Sequence, residues 1–175
     1  MAAPWAKLHY QYVRPVRTDL KIKTMSQSLS KLYVHIVFHI KNSRAKIRKK
    51  DKCELYSYIG SIIKDNESIP IIINGVEDHI HILCIMSKNI ALAKLVEEVK
   101  RHSSRWIKTK GNHYINFAWQ GGYGEFSVSP SLHDRTKLYI QNQEEHHQKM
   151  SFKEEYLLFL KEYDIDYNEK YLWLK

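Results

Sequence analysis

Residues 71–86 read IIINGVEDHIHILCIM, and the fold follows from this run. Ile71 to Val76 is apolar and β-branched, which predicts a buried strand with Gly75 near its end. Asp78 to Met86 predicts a second apolar strand, paired with the first as a hairpin. Upstream, Leu55, Tyr58, Ile59, Ile62 and Ile63 recur at the spacing of an amphipathic helix, and Pro70 helps to end the connection that follows it. Before that helix, Lys31 to Ile40 alternates: Leu32, Val34, Ile36, Phe38 and Ile40 share one side, Tyr33, His35, Val37 and His39 the other. Downstream, Leu92, Leu95, Val96, Val99 and Trp106 mark a second helix. Residues 117–128 are aromatic and hold three of the six glycines, Gly121, Gly122 and Gly124, which predicts a strand broken by a bend or bulge. Ser131 followed by Asp134 resembles a capping box and starts a third helix reaching about His147. A last helix uses Phe152, Tyr156, Phe159, Leu160 and Tyr163.

The first six elements run strand, helix, strand, strand, helix, strand. That is the βαββαβ order of an α+β, ferredoxin-like antiparallel sheet with helices on one face, here with helices added at the C-terminus. Such a fold hosts many activities and names none.

The chain has 175 residues and a mass of 20.9 kDa, which predicts one domain, over residues 25–175. Residues 1–24 show no clear period, contain Pro4 and Pro15, and precede a second methionine, Met25; they read as an extension, a flexible basic arm or a stretch upstream of the true start. Hydrophobic residues make up 43% and charged ones 27%, the balance of a globular protein and not of a disordered one. Two cysteines, Cys53 and Cys84, supply neither a disulfide framework nor a four-thiolate zinc site. No apolar run approaches a membrane span, and the start lacks the core of a signal peptide. A cytoplasmic protein, with no membrane partner, is expected.

The 28 lysines and arginines outnumber the 19 acidic residues, for a net charge of +9. The surplus is segregated. Seven basic residues and no acidic one fall between Lys31 and Lys50, while six acidic and two basic ones fall between Lys153 and Glu169. Segregated positive charge suits a phosphate backbone. The loop with Lys41, Arg44, Lys46 and Arg48, and the second helix with Lys100, Arg101 and Arg105, are the predicted DNA-binding regions. For any single lysine among them a solvated surface is the competing account.

His79 and His81 are two apart on a predicted strand, so both imidazoles project from one face, an arrangement that suits a divalent metal. With ten histidines in the chain, a chance His-x-His is also expected. Asp78 points to the other face and reads as a hairpin cap or as support for the histidines. Tyr139 and Gln143 are four apart on the third helix and share a stripe, which His147 extends and His146 adjoins. Read alone, this is a surface tyrosine beside a solvated glutamine. Trp119, Tyr123 and Phe126 could stack unpaired bases; for Trp119 a place in the sheet core is the better account.

Taken together, four segments resemble a family. Gly75-Val76-Glu77-Asp78-His79-Ile80-His81-Ile82-Leu83 is similar to the His-hydrophobe-His strand of the single-tyrosine HUH transposases, the small transposases of the simplest insertion sequences and their REP-associated relatives. Residues 96–106, VEEVKRHSSRW, are similar to the helix that follows it. Residues 119–129, WQGGYGEFSVS, continue the match, and Tyr139-Ile140-Gln141-Asn142-Gln143 resembles the helix bearing the nucleophilic tyrosine. The likeness runs from about Leu32 to Tyr171, in order and at the right spacing.

The resemblance implies an enzyme that cleaves and rejoins single-stranded or hairpin DNA at element ends. His79, His81 and Gln143 would hold Mg²⁺ or Mn²⁺, with water and phosphate completing the shell, or with His146 or His147 contributing instead. Tyr139 would attack the scissile phosphorus, remain joined to the 5′ side and leave a free 3′-OH. It further implies a homodimer, with each tyrosine helix commonly set against the partner's HUH site, and a prokaryotic protein found on the nucleoid when bound to DNA. Two other readings compete: a non-catalytic single-stranded nucleic-acid-binding module on the same fold, and a metal-dependent hydrolase that uses water in place of Tyr139. Against the binding module, the aromatic signature of RNA-recognition strands is absent.

Overall fold

The computed structural model describes residues 28–41 and 43–173; the N-terminal extension expected over residues 1–24 lies outside them. The elements are β1 (Leu32–His39), α1 (Lys49–Asp65), β2 (Ile69–Gly75), β3 (His79–Met86), α2 (Leu92–Lys108), β4 (Gly124–Val128), α3 (His133–Gln141), α4 (Gln143–His146), α5 (Phe152–Glu162) and α6 (Glu169–Leu172). The four strands form one sheet in the order β2-β3-β1-β4, every neighbouring pair antiparallel. This is the expected α+β, ferredoxin-like arrangement, with two strands between the crossovers as one hairpin.

The central strands are buried on both faces, and their alternation sorts two kinds of side chain. Val34, Ile36 and Phe38 of β1 and Ile80, Ile82 and Cys84 of β3 meet Leu55, Ile59 and Ile63 of α1 and Leu95, Val96 and Val99 of α2 in the main core. Each fully buried side chain of this size contributes about 1.5–3 kcal/mol. The opposite face carries His35, Val37 and His39 beside His79, His81 and Leu83, because the register sets Val37 against His81 and His39 against His79. The C-terminal helices cover that face. Ile140 of α3 packs with Tyr33, Leu83 and Val128, and Tyr156 and Leu160 of α5 pack with Val37 and Phe126.

Two glycines are required sterically. A Cβ on Gly75 would stand 2.2 Å from the His79 carbonyl oxygen, so only glycine lets the hairpin close onto the histidine strand. A Cβ on Gly124 would stand 2.9 Å from the Tyr156 ring, and its absence lets α5 approach β4.

The structure corrects four local expectations. β2 is an edge strand, and Ile71, Ile72 and Ile73 are half-buried instead of fully enclosed. Pro70 lies inside β2, where a register shift between Pro70 and Ile72 accommodates the missing N–H, as an edge permits. The third helix does not run unbroken to His147; it breaks at Asn142 into α3 and α4. Asn74 of β2 donates to the carbonyls of Ile140 and Gln141, each at 2.9 Å, which satisfies carbonyls that the break leaves free. The capping box at Ser131 does not form: Leu132 occupies the N-cap, and the Ser131 hydroxyl pairs with that of Ser129 at 2.9 Å. A complete capping box instead opens α5, where Ser151 Oγ accepts from the Glu154 N–H and the Glu154 carboxylate accepts from the Ser151 N–H.

Candidate active site

Alternation along β3 puts His79 and His81 on the face covered by the C-terminal helices, and both are fully buried. His79 Nδ1 lies 2.7 Å from Asp78 Oδ1. A carboxylate can only accept, so Nδ1 carries the proton and the Nε2 lone pair faces inward. Asp78 therefore supports His79, one of its two expected roles. Burial pushes its carboxyl up, but His79, His147 and Lys46 together outweigh this and hold it below the usual range. His147, just past α4, follows the same logic. Its Nδ1 donates to the Met150 carbonyl at 2.8 Å and its Nε2 faces inward. His81 Nδ1 lies 3.0 Å from Nε2 of His35 on β1.

Glu155 of α5 completes the cluster. Its Oε2 stands 3.2 Å from His147 Nε2, 3.4 Å from His81 Nε2 and 3.7 Å from His79 Nε2. Its Oε1 accepts hydrogen bonds from the Tyr139 hydroxyl and from Gln143 Nε2, the latter at 3.1 Å. The Tyr139 hydroxyl is also 3.4 Å from His146 Nε2. Thus Tyr139 and Gln143 meet on one carboxylate, although they lie on either side of a helix break.

Burial alone would push the Glu155 carboxyl up; the neighbouring His147 and His81 outweigh it and hold the group well below the usual carboxylate range. Burial draws His147 down, but Glu155 more than compensates and its pKa is raised. His81 is lowered to about 4, chiefly by burial. The Tyr139 phenol is pushed up by burial and then by the Glu155 charge, so it is protonated at neutral pH.

The donor set fits a divalent cation. The ligand atoms of His79, His81, His147 and Glu155 all lie within 4.8 Å of one another. Neighbouring ligands on an ion with bonds of roughly 2.1 Å stand about 3 Å apart, close to the separations around Glu155 Oε2. His79 Nε2, His81 Nε2, His147 Nε2 and Glu155 Oε2 are buried polar atoms without a hydrogen-bond partner, as is Gln143 Oε1. Buried groups of this kind are costly unless something satisfies them, and one cation would satisfy them together.

A cleft lined by Arg135, Thr136, Tyr139, His146, Phe159, Glu162 and Tyr163 opens beside the Tyr139 hydroxyl and gives the site access from solvent. Tyr163, the last residue on the stripe of the final helix, is 37% exposed at its rim, with its hydroxyl donated to the Ser127 carbonyl at 2.8 Å. Tyr123, one of the aromatics that could stack bases, is not among the residues around Glu155; it packs under the Lys100 ammonium. Trp119 is core, its Nε1 donating to Ser103 Oγ at 2.8 Å.

The predicted DNA-binding residues occupy two regions. Lys41, Arg44, Lys46 and Arg48 lie between β1 and α1. Lys46 pairs with Glu77, and Arg48 pairs with Asp51 at 2.8 Å while covering the Tyr114 ring. Lys100, Arg101 and Arg105 line a groove between α2 and residues 118–123. Lys100 donates to the carbonyls of Gln120, Gly121 and Gly122 at 2.7–3.2 Å, which ties down that glycine loop. Arg101 pairs with Glu98.

Glu155 is not among the residues that the sequence singles out, because it lies within an acidic stretch. A signal was present. Glu155 stands three residues after Phe152 and four before Phe159, so it interrupts the apolar stripe of the last helix with a charge.

The comparisons with known proteins agree with this geometry. A family model described as "Transposase IS200 like" matches residues 28–143. No curated protein matches the chain at a significant level. Among solved structures, a candidate transposase from Deinococcus radiodurans R1 is 20% identical, with a TM-score of 0.54 over 70% of this chain and 98% of that one. A REP-associated tyrosine transposase bound to a REP hairpin is 16% identical, with a TM-score of 0.52 over 70% of this chain and 74% of that one. At such identities the two structures speak for the fold, and the family model, which spans most of the chain, establishes that the protein belongs to the IS200-like transposases.

Proposed function

We propose that this protein cleaves and rejoins single-stranded DNA at the ends of an insertion element, with Tyr139 as nucleophile and a divalent cation, Mg²⁺ or Mn²⁺, as cofactor. The observation that carries this reading is the double use of Glu155: one carboxylate oxygen accepts from the Tyr139 hydroxyl and the other faces three buried histidine nitrogens. His79, His81, His147 and Glu155 would hold the cation, and Gln143 both anchors Glu155 and keeps its unpartnered Oε1 available as a further ligand. When bound, the cation supplies Lewis acidity that draws charge from the scissile phosphate.

The remaining chemistry belongs to side chains. Tyr139 is protonated at rest, so its attack needs a proton acceptor already in place. Glu155 Oε1 accepts the phenol hydrogen bond and orients the hydroxyl, and His146 Nε2, 3.4 Å away, is the acceptor. The Tyr139 oxygen forms a bond to phosphorus, the bond from phosphorus to the 3′ oxygen breaks, and the phenol proton passes toward His146 while a proton from solvent completes the 3′-OH. The resulting 5′-phosphotyrosine conserves the phosphodiester energy, so a 3′-OH can later attack it and rejoin the strand. Arg101 and Arg105, with the loop from Lys41 to Arg48, supply the phosphate-binding surface for single-stranded or hairpin ends. One nucleophile per chain and two ends to be joined favour a homodimer. Within one chain the Tyr139 hydroxyl already meets Glu155, which faces that chain's own histidines, and this favours attack in cis over the trans placement that the family resemblance implies.

A denaturing gel with labelled single-stranded DNA from the flanks of the gene tests this. A metal-dependent covalent protein–DNA adduct is expected. Binding without an adduct would support the nucleic-acid-binding module, and a free 5′-phosphate product would support hydrolysis by water.

A further inference from the structure

Three imidazoles face the cluster, and each is held from behind by a different group. For His79 the group is the Asp78 carboxylate, and for His147 it is the Met150 carbonyl. Both can only accept, so both histidines keep a proton on Nδ1 in every state. His81 differs: behind it stands the imidazole of His35, 3.0 Å away and 3% exposed. An imidazole nitrogen can donate or accept, so His81 alone is free to choose its tautomer.

We propose that His35 is a two-way hydrogen-bond partner that lets His81 exchange tautomers when the site takes up its cation, making His81 the adjustable ligand of the cluster. The inference rests on the metal-binding reading above. Without the cation, the ionised Glu155 Oε2, 3.4 Å from His81 Nε2, favours a proton on that nitrogen. His81 Nδ1 is then bare and accepts from His35 Nε2–H. With the cation, His81 must offer a bare Nε2. Its Nε2 proton leaves, and the His35 Nε2 proton crosses the hydrogen bond to His81 Nδ1. His35 then takes a proton on its own Nδ1 from water in the cleft, which its ring borders. One proton departs and one arrives, and neither histidine changes charge. The pair avoids the stranded donor or acceptor that a one-way partner would leave in one of the two states, a buried defect costing about 1–3 kcal/mol.

The surroundings of His35 suit a fixed ring that exchanges only its proton. It lies against Phe126 and Phe159, with centroids 6.1 and 5.3 Å away, and nearly parallel to His81. His35 touches no proposed substrate atom and is a positioning residue.

Long-range proton–nitrogen NMR of the imidazoles, with and without Mg²⁺, reads the exchange directly. In the wild type, His81 should pass from the Nε2–H to the Nδ1–H form on adding Mg²⁺, and His35 from Nε2–H to Nδ1–H, while His79 and His147 stay Nδ1–H throughout. His35→Phe should weaken Mn²⁺ binding by about 10- to 100-fold, the usual effect of losing the group behind a ligand. His35→Gln, whose amide can also donate or accept, should restore binding to within a few-fold of wild type. If the His79 and His147 signals respond to Mg²⁺ while the His35–His81 pair keeps one tautomer, this proposal is overturned and the metal site stands. If no imidazole responds to either ion, the metal-binding reading itself fails. If His35→Phe does not fold, the wild-type spectra and His35→Gln still decide the matter.

Discussion

The hydroxyl of Tyr139 and the carboxylate of Glu155, sixteen residues apart on different helices, share a hydrogen bond at the edge of a buried histidine cluster. Glu155 thereby links the group that would attack to the groups that would hold a cation. The two roles are coupled through one side chain, and substitutions there should separate or abolish them in defined ways.

Tyr139→Phe removes one oxygen and little volume. Folding should cost on the order of 1 kcal/mol, because Gln143 still donates to Glu155. Mn²⁺ and DNA affinities should stay within a few-fold of wild type, while the covalent adduct on a denaturing gel disappears. An adduct of undiminished yield would mean that the nucleophile lies elsewhere.

Glu155→Gln keeps the shape and removes the charge. Mn²⁺ affinity, measured by titration, should fall at least 10-fold. The pKa of His147, now raised by Glu155 against the effect of burial, should drop. An NMR titration that leaves His147 unchanged would contradict the assigned cause.

Stability of the metal-free protein should fall as the pH drops from about 6.5 toward 4. His35 and His81 have folded-state pKa values lowered by burial, that of His81 to about 4. In this window the unfolded chain therefore binds more protons, and acid favours it. His147 is raised and contributes with the opposite sign, stabilising below its unfolded pKa and losing that contribution as the pH rises through the folded value. His39 is lowered by burial as well, so three lowered imidazoles stand against one raised. Urea midpoints in the presence of a chelator at pH 7 and pH 5 give the measurement, and a higher midpoint at pH 5 would refute the balance.

Gly75→Ala places a methyl 2.2 Å from the His79 carbonyl oxygen, so the hairpin must shift. The expected loss is about 1–3 kcal/mol, with a larger fall in metal affinity than Gly124→Ala produces, because only the first contact lies on the histidine strand. Thermal melts and Mn²⁺ titrations of both variants check this.

The double substitution Arg101→Ala with Arg105→Ala should weaken single-stranded DNA binding and flatten its dependence on salt by roughly 1–2 in the log–log slope. Adduct formation at saturating DNA should survive. An unchanged salt slope would move the DNA surface away from the α2 groove.

Much of this molecule is legible in local sequence. The alternation of Lys31 to Ile40 and the apolar run of Asp78 to Met86 are periodicities of a backbone with two faces, and a sheet buried on both sides must show them. The spacing of Leu55, Ile59, Ile62 and Ile63 likewise has one physical solution, a helix laid on that sheet. His79 and His81 share a face for the same reason, so half of the proposed ligand set was visible as two letters separated by one.

The rest depended on distances across the chain, which periodicity does not encode. The break at Asn142 is stabilised by Asn74, from a strand more than sixty residues earlier, and no local spacing announces that contact. His147 and Glu155 join the histidines only because α4 and α5 fold back over the face that β3 presents. His35 became part of the site through strand register, which sets β1 beside β3 and brings its ring to within 3.0 Å of His81. The sequence by itself determined which residues could lie on each face of each element. Tertiary structure alone decided which of those faces meet, and so turned an acidic side chain in an apolar stripe into the centre of a site.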